Sequence, residues 1–178
     1  MPSFFEQLGL LKELELTYEV SQKTFIDLLE KNLDKDRYNP FEVFTSSHFK
    51  YKGTIETDGF RVKKKRRLFD SKTGWISATG KLEEKGNKLS INLAIIGWNH
   101  YMTIVYVFIL IYCVFAFSTW LDMNEMQSLT KWLFLLFIML LHTALLLLAP
   151  IILLRKSVKS LAETLPKDLS HLVKHGKF

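Results

Sequence analysis

The sequence predicts an α+β protein: a small antiparallel sheet with one helix, followed by a two-helix transmembrane hairpin and a C-terminal amphipathic helix. Three observations carry this. From Tyr101 to Leu121 and from Trp132 to Leu154 no side chain holds a fixed charge. Each run exceeds the roughly 20 residues that a helix needs to cross ~30 Å of hydrocarbon. The first half instead alternates apolar and polar residues between turn signals, which is the period of half-buried strands. Beyond the second run, Leu161, Leu165, Leu169, Leu172 and Val173 recur at helical spacing among lysines. The expected divisions are 1–97, 98–155 and 156–178.

The first half reads in order. Phe4 to Leu11 is apolar-rich and reads as a short helix on the membrane or on the domain. Leu14, Leu16, Tyr18 and Val20 alternate with Glu13, Glu15, Thr17 and Glu19 as a strand. Ser21 is a good N-cap, and Thr24, Phe25, Leu28, Leu29 and Leu33 follow at helical spacing. Asn39-Pro40 breaks the pattern. Phe41, Val43, Phe49, Tyr51 and Ile55 suggest strands interrupted at Thr45-Ser46-Ser47. Thr57-Asp58-Gly59 is a turn into a strand from Phe60 to Phe69. Asp70 to Gly74 turns again, and Trp75–Leu82 and Lys88–Ile95 flank a hairpin turn at Glu83–Asn87. This makes one helix beside about five strands. A core of that size is within reach of ~100 residues.

The chain has 178 residues, is 48% hydrophobic and carries net charge +6. Residues 1–98 are net +3 and the tail 155–178 is net +4, while the polar linker Asp122–Lys131 is net −1. Because only Lys and Arg near a span set its orientation, Arg155, Lys156 and Lys159 put both termini in the cytoplasm. Met1 to Leu16 lacks the continuous apolar stretch of a secretory signal. Trp98, Trp120 and Trp132 fall at the span limits, where amphipathic rings anchor at headgroup level. His100 and Tyr101 are ordinary there. Pro150 is expected to kink the second span, and Pro166 to open the tail helix as its first residue. The single cysteine, Cys113, lies in the first span and has no intramolecular partner.

The order of strand, helix, meander and hairpin, with Phe49-Lys50-Tyr51-Lys52-Gly53-Thr54-Ile55, Gly59-Phe60-Arg61-Val62, a basic strand, and Ile76 through Gly80-Lys81-Leu82 to Leu89-Ser90-Ile91, resembles uncharacterised small bacterial two-span membrane proteins with an N-terminal cytoplasmic α+β domain. That resemblance implies a setting in the cell inner membrane. It implies no activity.

The sharpest local signal is Lys63-Lys64-Lys65-Arg66-Arg67. Successive strand residues point to opposite faces, so both faces are charged. That suits an edge strand guarded against aggregation. It also suits contact with anionic headgroups, worth ~1 kcal/mol per basic residue, for which Arg155, Lys156 and Lys159 are further candidates, or with a partner protein or nucleotide. One run in a domain of net +3 is a poor nucleic-acid footprint. His142 sits near mid-span. It reads as a packing residue with Thr143 or a neighbouring helix, with Cys113 as another interior-facing candidate, or else as a haem or metal ligand or part of a proton path. His171 and His175 share a helix face but lack further zinc ligands; a solvated basic tail is the simpler reading. The tail itself fits either an interfacial helix on anionic lipid or packing against the domain.

There is no phosphate loop, GxSxG, HExxH or acidic metal motif. The expectation is therefore a non-enzyme without metal or cofactor: an accessory or scaffold protein binding a partner or the membrane surface. The alternative is a homo-oligomeric channel or membrane effector gated by the domain. Two spans enclose no pore, so association with another membrane protein or with further copies is expected in either case.

Overall fold

The structure is a computed structural model that describes residues 3–35, 49–65, 76–86, 88–122 and 129–178. The expectations on Asn39–Ser47, on Arg66–Trp75 and on most of the Asp122–Lys131 linker fall outside the described residues.

The elements follow one another as α1 (Phe4–Gln7), β1 (Leu11–Tyr18), α2 (Gln22–Asn32), β2 (Leu33–Lys35), β3 (Tyr51–Glu56), β4 (Gly59–Lys64), β5 (Ser77–Lys85), β6 (Lys88–Ile96), α3 (His100–Asp122) and α4 (Leu129–His175). The architecture is mixed α+β. The chain divides into two compact units, Met1–Trp98 with Leu154–Phe178, and Asn99–Leu153.

The six strands stand in the order β1-β6-β5-β4-β3-β2. β3 to β6 form a meander of antiparallel neighbours, and β1 pairs antiparallel with β6. The sixth strand was not expected. Helical spacing assigns Leu33 to α2, but its backbone is extended (φ −105°, ψ 138°) and ends the helix. Leu33 instead pairs in parallel with Tyr51 of β3. A Leu four residues beyond Leu29 satisfies a helix and a strand end alike, so spacing could not separate them. Ser21 caps α2 as expected, its Oγ accepting the Thr24 N–H at 3.3 Å.

Strand alternation puts Tyr51, Phe60, Val62, Ala78, Leu82, Leu89, Ile91, Leu93 and Ile95 on one face, all buried. Phe60 lies opposite Gly80. A Cβ at Gly80 would run into the Phe60 ring, so the ring uses space that only glycine leaves. Phe25 and Leu29 of α2 cover part of this face. The rest is covered from the far end of the chain: Val158, Leu161, Ala162, Leu165, Leu169 and Leu172 of α4 join the same core. The tail therefore belongs to the first unit, as its last layer.

α4 runs without interruption through Pro166. The expectation that Pro166 starts a new helix is not met. Proline at an interior position costs ~3 kcal/mol, because it removes an N–H and crowds the carbonyl four residues back. Each buried leucine contributes roughly 1.5–3 kcal/mol. Leu161, Leu165, Leu169 and Leu172 lie on both sides of Pro166 and hold the helix to the sheet across it.

In the second unit, α3 and the first part of α4 are long and apolar enough to cross a membrane. Many of their apolar side chains are exposed, Phe108 to 67% and Phe134 to 63%. Ser118 and Thr119 return their hydroxyls to carbonyls of their own helix, Val114 at 2.9 Å and Ala116 at 3.0 Å. That satisfies their polarity without a partner.

Leu165→Ala should lower the stability of the first unit by ~2–5 kcal/mol, the usual range for emptying a packed leucine site. The denaturant midpoint of the full-length protein in detergent measures this, with the exposed Leu153→Ala as the control that should not move. If Leu165→Ala shifted the midpoint no more than Leu153→Ala, the tail would not be part of the core.

Candidate functional site

Strand register gathers one end of the sheet into a single cross-strand row: Leu11, Ile96, Ser77, Lys63, Lys52 and Asp34. Ile96 is the last residue of β6, and α3 begins at His100. The basic end of β4 therefore lies at the end of the sheet from which the chain leaves for the apolar unit. Lys12, opposite Ile95, belongs to the same end. So does Arg155, whose aliphatic stem lies over Gly9 just before β1.

β4 is not an edge strand. It lies between β3 and β5, which overturns the reading of its charges as a guard for an open edge. Lys63 projects away from the core, and Lys64, opposite Tyr51, projects from the core side at its margin. Lys65 is only 12% exposed and pairs with Asp34 at 2.5 Å. Arg66 and Arg67 are outside the described residues. Arg155, Lys156 and Lys159 are exposed on α4, beside the buried Leu154, Ser157 and Val158. The structure thus brings Lys63, Lys64 and Arg155 to one end of the unit.

A second polar site was missed by the sequence reading. Asp168 of α4 accepts from Lys50 Nζ at 2.6 Å and from the Tyr51 hydroxyl at 2.5 Å. Tyr51 is fully buried, and its ring meets Phe178 at 5.1 Å between centroids. Burial above all, then the hydrogen bond and charge of Asp168, push the Tyr51 hydroxyl far above its ordinary value. It is a fixed donor over the whole neutral range and ties β3 to the tail. Tyr18 is raised too, by burial, and donates to the Pro166 carbonyl at 3.4 Å. No local motif could reveal Asp168, since its partners are more than a hundred residues away.

Within the second unit the polar side chains meet in pairs. Tyr106 donates its hydroxyl to the Leu147 carbonyl at 2.8 Å. Cys113 Sγ lies 3.9 Å from Thr143 Oγ1. His142 does not use Thr143; its ring sits 6.0 Å from that of Tyr112. Beside it is an open apolar cavity of about 390 Å³, lined by Val105, Phe108, Ile109, Tyr112, His142 and Leu146. Trp98 lies at 5.9 Å from the Phe5 ring. The side chains of Trp120 and Trp132 are outside the described residues. In the tail the His171 and His175 rings are 4.5 Å apart, and His171 Nδ1 is 2.8 Å from the Lys177 carbonyl oxygen. Among the described residues no group of three or more His, Cys, Asp or Glu side chains could hold a metal ion.

Comparison of the chain with protein-family models, with curated proteins and with solved structures finds no match.

Tyr51→Phe removes a hydrogen bond to a charged acceptor, worth ~1.5–3 kcal/mol at neutral pH. The pH dependence has a definite sign. An unfolded tyrosine releases its proton near pH 10, while buried Tyr51 keeps it. Stability linked to this group is therefore complete below about pH 10 and is lost as the pH rises beyond it. The variant should be less stable at pH 7 and lose less further stability above pH 10 than the parent. Denaturant midpoints across that range decide it; parallel curves would show that Tyr51 is not the group held protonated.

Proposed function

We propose that this chain is an integral membrane protein of two spans that holds a small α+β head against an anionic bilayer surface. It acts there as an accessory or scaffold component that binds a partner. The observation that carries the reading is the coincidence of charge with chain exit. The cationic end of the sheet, with Lys63, Lys64 and Arg155, is the end from which the chain leaves for two apolar helices. A basic residue near such a surface contributes ~1 kcal/mol, so three or more outweigh thermal tilting of the head.

The hairpin arrangement of the spans is supported by the order of their contacts. Tyr106 meets Leu147, and farther along α3 Cys113 meets Thr143. Rising position on one helix matches falling position on the other, as in antiparallel neighbours. Both termini are then on one side. The lysine and arginine bias favours the cytoplasm for that side, and the resemblance to small bacterial two-span proteins supports a setting in the bacterial inner membrane. Partner binding has two available surfaces. Exposed Phe108, Phe115 and Phe134 offer apolar contact within the bilayer. On the head, the sheet face opposite α2 and α4 exposes charges of both signs, among them Glu13, Glu15, Arg61, Lys81 and Glu83, for a polar partner.

The protein should stay with the membrane through alkaline carbonate and high salt, and leave it only with detergent. Its release by salt alone would refute the two spans. The lipid contact has a separate test in vesicles. Acylation of Lys63 and Lys64 should be slower with phosphatidylglycerol present than with phosphatidylcholine alone, with Lys85 as the unaffected reference. The difference should vanish in ~1 M salt, where charges are screened within about 3 Å. Equal rates in both lipids would leave the basic end without a lipid role.

A further inference from the structure

We infer that α1 is a third membrane contact: an in-plane aromatic foot in which Phe4 and Phe5, with Trp98, enter the headgroup layer beside the two points where the chain crosses into the apolar unit. The inference rests on the two-span reading above and adds to it a specific lipid-binding surface on the head.

Four residues do not make a stable helix alone, because nucleation is costly. Here the turn is fixed by a capping box. The Ser3 N–H donates to Glu6 Oε2 at 2.5 Å, and the Glu6 N–H returns to Ser3 Oγ at 3.3 Å. Leu8 and Leu10 N–H groups bond back to the Phe4 and Phe5 carbonyls at 3.1 and 2.8 Å. Gly9, at φ +67°, then turns the chain into β1. The left-handed conformation there suits glycine, and the Arg155 stem fills the space above it.

This rigid turn does not bury its own aromatic rings. Phe4 is 69% and Phe5 40% exposed. Rings held out on an ordered, hydrogen-bonded turn are not a frayed end; they form a surface. Its position identifies the occupant. Phe5 meets Trp98, the last residue before the apolar unit. The Gly97 N–H donates to the Leu10 carbonyl at 2.8 Å. Arg155 lies two residues past Leu153, where the apolar unit ends. The exposed rings therefore stand at both crossings, with a cation beside them. Aromatic rings next to a basic side chain match the interfacial layer of an anionic bilayer.

The test uses full-length protein with Cys113→Ala, so that single cysteines can be placed at will. Phe4→Cys, Lys85→Cys and Phe108→Cys are each labelled with a polarity-sensitive fluorophore. The proteins are reconstituted in phosphatidylglycerol-containing vesicles that carry nitroxide lipids at headgroup or mid-chain depth. The probe at position 4 should lose fluorescence to the headgroup nitroxide. The probe at 108 should lose it to the mid-chain nitroxide, and the probe at 85, in the far hairpin, to neither. If position 4 behaves like position 85 while 108 is quenched, α1 is not a membrane contact although the spans are. A blue-shifted but unquenched probe at 4 means that protein covers the site, which also overturns the inference. If 108 is not quenched, the two-span reading fails and this one with it.

Discussion

One face of the six-stranded sheet is almost entirely apolar, and most of the head follows from the need to keep it from water. The three turns of α2 offer Phe25 and Leu29 to it, which is too little for a face set by Tyr51, Phe60, Val62 and the leucines and isoleucines of β6. The missing cover comes from beyond both apolar helices. Leu161, Leu165, Leu169 and Leu172 together bring of order 6–12 kcal/mol of burial, comparable to the whole stability of an ordinary domain. The head cannot be complete before the chain has passed through the apolar unit and returned. Its fold and its attachment are thus one problem.

Polar contacts then fix the register of that cover. Asp168 takes Lys50 and Tyr51, Tyr18 reaches the Pro166 carbonyl, and Asn32 at the end of α2 donates to the Gly176 carbonyl at 3.0 Å. Apolar packing alone would tolerate a slide of the helix along the sheet. A buried tyrosine hydroxyl facing a carboxylate does not, because a shifted helix would leave both groups desolvated and unpaired. Pro166 survives within the helix for the same reason: the cost of one lost hydrogen bond is small beside the contacts on either side of it.

The candidate site is a product of strand register. The row from Leu11 to Asp34 collects, at one end of the sheet, residues drawn from six separate strands. Lys12 is far in the chain from Lys52 and Lys63, and Arg155 comes from another element altogether. Their common feature is nearness to the exit of the chain. β4, in the middle of the sheet, ends there in Lys63 and Lys64. Lys63 projects away from the core, Lys64 stands at its margin opposite Tyr51, and Lys65, just past the strand, pairs with Asp34.

Much was decided by the sequence alone. Uncharged runs longer than a bilayer is thick, period-two alternation, the Ser21 cap and the Thr57-Asp58-Gly59 turn are local signals, and local physics is enough to read them. The mixed class, the meander and the two apolar helices follow from them. What only the tertiary structure decided is long-range. It assigned Leu33 to a strand, set β4 inside the sheet, paired Cys113 with Thr143 in place of His142, found the Asp168 site, and gave the tail to the core. Each of these depends on what lies across from a residue, and spacing along one segment contains no term for a neighbour on another.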